Sequence, residues 1–406
     1  MQAQIWDGAR RDLMPWMGDM HVEALTAYHA FGAGKAVRDS LRAVRELGPD
    51  PVPPLTESPM AGLRNVWKGD DLNGISSYTA WWAVALHDYW RYTGDMAFVK
   101  EMAPGLPAIL RRVAGRVDAD GRWTPPSKDW GANFIDWSNL TYDEEQATMQ
   151  VLGILALDRG ADLLDRAGMA KEAGEFRPPA GKMKTYLRDR LVDSGRGVIV
   201  SPRHHANALA IDGGLFDAQL SRSLFHGAVA KPMDVFFTPW WRYYDLAAAS
   251  AVGETQWGLD EIRSTWGGML DAGATTFWES FDRSYLKAKD PHAVTLTTET
   301  IQGYGGYRTS LCHGWSSGPA VWLHTSVLGV TPLADGFARF RFAPALGDLA
   351  WAEGVIPTPK GAIKVRVERK GAGVAGRVEL PEGVEGETLI PGLELKGPGV
   401  RIFERS

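Results

Sequence analysis

From about residue 17 to about residue 330 this chain reads as helix and loop, with hardly a strand between, and then its pattern changes. Few architectures accommodate that. Apolar residues recurring at helical spacing must bury a stripe against other helices, and helices joined by short or looping connections pair as antiparallel hairpins. Residues 20–31 open the series, with Asp19 expected as the N-cap, and 35–47 follow, stopping at Gly48-Pro49. A proline-rich loop runs from Pro49 to Pro59. Residues 76–93 form a strong helix with Trp82, Leu86, Tyr89 and Tyr92 near one face. Pro104 and Pro107 divide the next stretch, 95–117, into two pieces. Stretches 143–168, 170–192, 207–213, 218–227, 233–252, 256–270 and 313–328 supply the rest. Beyond residue 332, Ile363, Val365 and Val367 alternate with polar neighbours, and 373–380 and 388–403 read as further short strands. The expected organisation is a helical domain over 1–332 and a small all-β domain over 333–406.

Composition narrows the class of function. With 45% hydrophobic and 23% charged residues there is ample material for a core. The net charge of −5 comes with no long basic run, so no nucleic-acid partner is expected; Arg111, Arg112 and Arg116 read as a solvated helix face. Cys312 is the single cysteine, which rules out an internal disulfide. His313 follows it, yet neighbours in sequence are not neighbours in geometry, and a core cysteine is the expectation. No secretory leader pattern and no membrane-spanning run is read, so the default location is cytoplasmic and no membrane partner is expected.

The chemistry lies in acids beside tryptophans. Among 17 tryptophans the chain has Trp6-Asp7, Asp129-Trp130, Asp136-Trp137 and Trp278-Glu279. Residues 6–19 alone hold three acids, Asp7, Asp12 and Asp19, two arginines and two tryptophans, and Trp6 and Trp16 are expected to be substantially buried anchors. Two carboxyls on helical segments, with indole faces beside them, suit glycoside cleavage. One protonates the leaving oxygen, the other handles water, and the indole packs on the C–H face of a sugar ring. Arg11 can keep one carboxylate ionised and leave another protonated. A salt-bridged N-terminal loop over a tryptophan-filled core explains the same residues without chemistry. His204-His205 is not a metal site on this reading, because adjacent histidines on a regular element cannot aim at one ion.

The order of seven motifs makes a family resemblance visible. Asp7-Gly-x-x-Arg11-Asp12-x-x-x-Trp16-x-Gly18-Asp19 is followed by Phe134-Ile135-Asp136-Trp137, by 205–210 (HANALA), by 274–279 (ATTFWE) and by Ser310-Leu311-Cys312-His313-Gly314. Phe340-Arg341-Phe342-Ala343-Pro344 and Pro357-Thr358-Pro359-Lys360-Gly361 carry the match into the β domain. Together they resemble the α-L-rhamnosidases of glycoside hydrolase family 78. The resemblance implies an (α/α)6 toroid of helical hairpins with a small C-terminal β-sandwich, and an inverting mechanism. It places Asp12 at the general acid, Glu279 at the general base, and Asp7, Arg11, Trp16, Asp19, Trp137 and His313 around the sugar. No cofactor and no metal are implied. The chain departs from the family in having Asp12 followed by Leu13 where members carry Glu or an acidic pair. It also has six residues before Asp7 where members carry β-sandwich domains. That second departure implies a fragment, a partner chain supplying those domains, or an altered substrate.

The expected function is therefore inverting hydrolysis of terminal α-L-rhamnosides, or of a related deoxy-sugar or uronide. Two rivals stand: a non-catalytic carbohydrate-binding protein on the same scaffold, and another (α/α)6 enzyme such as an unsaturated glucuronyl hydrolase or a polysaccharide lyase.

Overall fold

The structure, a computed structural model, describes residues 4–6, 14–46, 67–68, 71–72, 74–127, 130–232, 238–281, 310–371 and 373–405. Asp7, Arg11 and Asp12 lie outside the described residues.

Helix α1 (Met17–Thr26) starts where Pro15 ends an extended approach, and it runs on through a π-helical turn, Ala27–Phe31, to Gly32 in the left-handed region. Asp19 is not its N-cap. Trp16 takes that position without a side-chain bond, its carbonyl accepting from the Met20 N–H at 2.9 Å, so Asp19 falls inside the first turn. An acid there still complements the exposed N–H groups of the helix end. Helix α2 (Gly34–Glu46) follows, then a two-residue ribbon of β1 (Trp67–Lys68) and β2 (Asp71–Leu72).

Helix α3 (Ser76–Thr93) has the bounds its pattern suggested, but it is buried on nearly every side rather than along one face. A helix apolar all round belongs at the centre of a bundle, and α3 packs on α1, α2, α5 and α6. Helices α4 (Met96–Met102) and α5 (Leu106–Ala114) are separated by a 3-10 turn at Pro104, as the prolines indicated. Helix α6 (Tyr142–Arg166) opens on a capping box between Thr141 and Glu144 and packs on α7 (Ala170–Tyr186). Pro178 and Pro179 sit inside α7 without ending it. The carbonyls they strip of partners, on Gly174 and Glu175, belong to exposed residues, where water replaces the lost bonds. A short ribbon, β3 (Val192–Asp193) and β4 (Val198–Ile199), leads to α8 (His204–Asp212), α9 (Ala218–Leu224), α10 (Pro239–Val252), α11 (Thr255–Ile262), α12 (Gly268–Asp271) and a last short helix, Gly318–Trp322. The basic face expected at residues 111–116 is only partly solvated. Arg111 is exposed and pairs with Glu175, whereas Arg116 is drawn inward to 2.6 Å from the buried Asp71, over the Trp123 ring.

The strands after residue 329 form two sheets. In one, β5 (Val330–Pro332) runs antiparallel to β6 (Arg339–Phe342), which pairs in parallel with β10 (Glu385–Thr388). The other is an antiparallel sheet, in the order β11 (Gly399–Arg405), β9 (Gly373–Leu380), β8 (Gly361–Lys370), β7 (Trp351–Thr358). Ile363, Val365 and Val367 point inward, as their alternation indicated. They share a core with Phe340, Phe342 and Phe403 from the sheets and with Trp266 and Trp322 from the helical domain. That common core cements the β domain to the helices. Among the described residues no helix is long and apolar enough to cross a membrane.

A buried histidine, His29, and a half-buried one, His324, lie where helices meet the β domain. His29 Nε2 lies 3.1 Å from the Tyr92 hydroxyl, and its ring faces His324 at 5.6 Å and Phe337 at 6.5 Å. Burial, and then the neighbouring His324, push the His29 pKa down to about 3; burial also lowers that of His324. The His29 ring is thus neutral in the fold, and unfolding lets it take up a proton below about 6.5. The fold is favoured fully above that pH, and each such group costs up to about 1.4 kcal/mol per pH unit below it. The melting temperature should fall between pH 7.5 and 5, and His29→Gln should make that slope shallower. An identical slope in the two proteins would show that His29 is not a buried neutral group.

Candidate active site

The N-terminal end of α1 and the segments at 274–281 and 310–315 converge. Asp19, Glu279 and His313 are 3%, 5% and 3% exposed. His313 stands between the two acids, with Nε2 3.3 Å from Asp19 Oδ1 and Nδ1 3.8 Å from Glu279 Oε2. The Tyr78 hydroxyl, at the start of α3, donates to Asp19 Oδ2 at 3.2 Å. The Ser310 N–H donates to Glu279 Oε2 at 2.6 Å.

Glu279 does not lie on a helix, contrary to expectation. Residues 274–281 are irregular, and main-chain bonds tie them to 310–315: Glu279 N–H to Ser310 O at 2.9 Å, and His313 N–H to Phe277 O at 2.8 Å. The Trp315 indole donates to Glu279 O at 2.9 Å. These bonds fix the backbone that carries the carboxyl. They also part the neighbours in the Trp278-Glu279 pair. Trp278 turns into the core shared with the β domain, near Phe281, so it is a packing residue rather than a sugar platform. Cys312 is exposed rather than in the core, because His313 and Trp315 take the inward positions of that segment.

Aromatic rings wall the acids. Trp16 meets Tyr78 edge-on at 5.9 Å, Tyr78 meets Phe134 at 6.4 Å, and Phe134 meets Trp137 at 5.1 Å. On the other side Trp315 lies 4.5 Å from His313 and stacks on Trp240 at 5.6 Å. Trp6 and Trp16 are partly rather than fully buried. Two glycines are required by contact. A Cβ on Gly18 would come within 2.7 Å of both Tyr78 and Trp240, and one on Gly314 within 2.2 Å of Glu23 Oε1. The described part of the site thus unites Trp16, Asp19, Trp137, Glu279 and His313, all expected from the sequence. It adds Tyr78, Trp240 and Trp315, which the sequence reading missed. The sequence does not single Tyr78 out among the aromatics of its helix; its place at the start of α3, against Gly18, distinguishes it. Among the described residues no group of three or more His, Cys, Asp and Glu could hold a metal ion.

Two buried carboxyls, a histidine between them and indole walls can hold sugar hydroxyls and a water. Residues 3–234 match the profile of the bacterial alpha-L-rhamnosidase 6 hairpin glycosidase domain, and 329–399 that of the bacterial alpha-L-rhamnosidase C-terminal domain. The chain is 22% identical over 399 residues to an alpha-L-rhamnosidase of Streptomyces avermitilis, covering 94% of this chain and 35% of that protein. It therefore spans about a third of the length of that relative. Among solved structures, a GH78 family rhamnosidase of Bacillus sp. GL1 superposes with a TM-score of 0.71 at 26% identity, over 92% of this chain and 39% of that one. A rhamnosidase from Klebsiella oxytoca with rhamnose bound gives 0.62 at 23%, over 79% and 59%. These matches bear out the expected fold class, an (α/α)6 toroid of helical hairpins with a small C-terminal β-sandwich.

Proposed function

Because this chain belongs to the bacterial α-L-rhamnosidase six-hairpin glycosidase family, we propose that it hydrolyses terminal α-L-rhamnosides, or glycosides of a related deoxy-sugar or uronide, by an inverting acid–base mechanism. The observation that carries the proposal is the Asp19–His313–Glu279 row, buried and walled by aromatic rings. Glu279 is the general base. The Ser310 N–H donates to its carboxyl and His313 stands beside it, and the carboxyl takes a proton from water attacking the anomeric carbon. Asp12 is the general acid on the opposite sugar face. Asp19 and His313 take hydroxyls, with Asp19 oriented by Tyr78. Asp7 and Arg11 hold further hydroxyls and set protonation, and Trp16 and Trp137 bound the ring. The chemistry needs no cofactor.

A panel of aryl glycosides tests the proposal. Release from the α-L-rhamnoside above all others is expected, and proton NMR of the fresh product should show the β-anomer first. An α-anomer first would reject inversion. L-rhamnose binding without release from any glycoside would make the protein a non-catalytic sugar binder. Asp12 in place of the family's Glu, one methylene shorter, is the feature favouring that second reading.

A further inference from the structure

The motifs at 134–137 and 205–210 contain two buried groups, Asp136 and His205, to which the proposed reaction gives no task. They meet. Asp136 Oδ2 accepts three hydrogen bonds: from Ser138 Oγ at 2.6 Å, from His205 Nε2 at 2.9 Å and from Thr238 Oγ1 at 2.9 Å. The Thr238 N–H donates to Ser138 Oγ at 3.2 Å, and Thr238 Oγ1 accepts from the Trp241 N–H at 3.3 Å, capping α10. The proton count is complete. Each hydroxyl gives its one proton to Asp136, Ser138 accepts from Thr238, and Thr238 accepts from Trp241. His205 must carry its proton on Nε2, and its ring stacks on Trp241 at 4.6 Å. Asp136, His205 and Thr238 are all at least nine-tenths buried, and three bonds converging on Asp136 Oδ2, whose partner oxygen Oδ1 has no hydrogen bond among the described residues, tie the loop at 136–138 to the starts of α8 and α10.

That geometry sets both walls of the candidate site. Asp136 anchors the loop that carries Phe134 and Trp137, and through Phe134 the wall reaches Tyr78 and Asp19. Thr238 caps the helix that carries Trp240. Trp240 lies against Gly18 and stacks on Trp315, which abuts His313. One carboxyl therefore joins the Trp137 wall to the ring stack beneath His313. We infer that Asp136, with His205 and Thr238, is a positioning residue that sets the gap between Trp137 and His313, and hence the fit of the sugar ring. The inference rests on the sugar-site reading above for its consequence, not for its geometry.

Thr238 gives the gentlest test. Thr238→Val keeps the shape and removes the shared hydroxyl; Thr238→Ser keeps the hydroxyl. Both are made in protein labelled with 5-fluorotryptophan, with the Trp137 fluorine resonance assigned from Trp137→Phe. In Thr238→Val the Trp137 resonance should shift or broaden, while that of Trp351, far off on the β domain, stays put. KM for the aryl α-L-rhamnoside should rise about 10-fold with a smaller change in kcat, as for lost binding shared by ground and transition states. Thr238→Ser should restore resonance and KM together. A cooperatively melting Thr238→Val with an unmoved Trp137 resonance overturns the inference, and so does a moved resonance with parental KM. A Thr238→Val that does not fold passes the same test to His205→Gln. If the parent protein cleaves no rhamnoside, the proposed function fails on its own account. The KM arm is then replaced by the dissociation constant of L-rhamnose, and if no sugar binds either, the positioning role falls with it.

Discussion

Glu279→Gln is expected to slow release from an α-L-rhamnoside by about 10²-fold or more while leaving sugar affinity largely intact, since general base catalysis typically contributes 10²–10⁴. The substitution keeps the side chain's length and an oxygen to accept the Ser310 N–H. The bonds from the Trp315 indole to the Glu279 carbonyl and from the His313 N–H to the Phe277 carbonyl do not involve the Glu279 side chain. What is removed is the capacity to take a proton from water. Steady-state kinetics with calorimetric binding of L-rhamnose checks it. Turnover at the parental rate would remove Glu279 from the base role, and joint loss of binding and turnover would assign it to holding the sugar.

Asp12→Ala should discriminate between leaving groups. An alkyl aglycone departs only if its oxygen is protonated, whereas a dinitrophenolate needs little help. Loss should therefore be severe, on the order of 10²–10⁴, on alkyl rhamnosides and far smaller on the activated aryl one. The basic limb of the pH profile, which reports the acid, should flatten with it. Equal losses on both substrates would hand the role to Asp19 or Asp7. The structure argues against Asp19, because the Tyr78 hydroxyl donates to its carboxyl and His313 stands beside it, the surroundings of an acceptor.

Much of this was legible in the chain. The bounds of α3, the proline break between α4 and α5 and the inward alternation of Ile363, Val365 and Val367 follow from local chemistry, where period and punctuation suffice. Asp19, Glu279 and His313, from motifs far apart in the chain, meet in space, with Trp16 and Trp137 linked to them through Tyr78 and Phe134. What escaped depends on which way a residue faces. Cys312 and Trp278 are apolar in text, yet one is exposed and the other buried away from its acidic neighbour, because main-chain bonds between 277–279 and 310–313 set the alternation. The π-helical turns at Ala27–Phe31, Leu187–Leu191 and Leu323–Val327 were equally invisible. One extra residue per turn hardly disturbs an apolar pattern five residues long.

The site draws Asp19 from the first described helix and His313 and Trp315 from beside the last, with Thr26 Oγ1 and Ser317 Oγ bonded at 2.7 Å behind them. It is the seam of a ring. Tyr78, Trp137 and Trp240 from the intervening elements wall the site, but Asp19 and His313 meet only where the two ends of the helical domain meet. A sugar bound there as proposed would clasp both ends, so its binding energy would also be closure energy for the helical domain. At a hundredfold excess over Kd that amounts to about 2.7 kcal/mol. On that reading, L-rhamnose should raise the melting temperature by holding the two ends of the helical domain together.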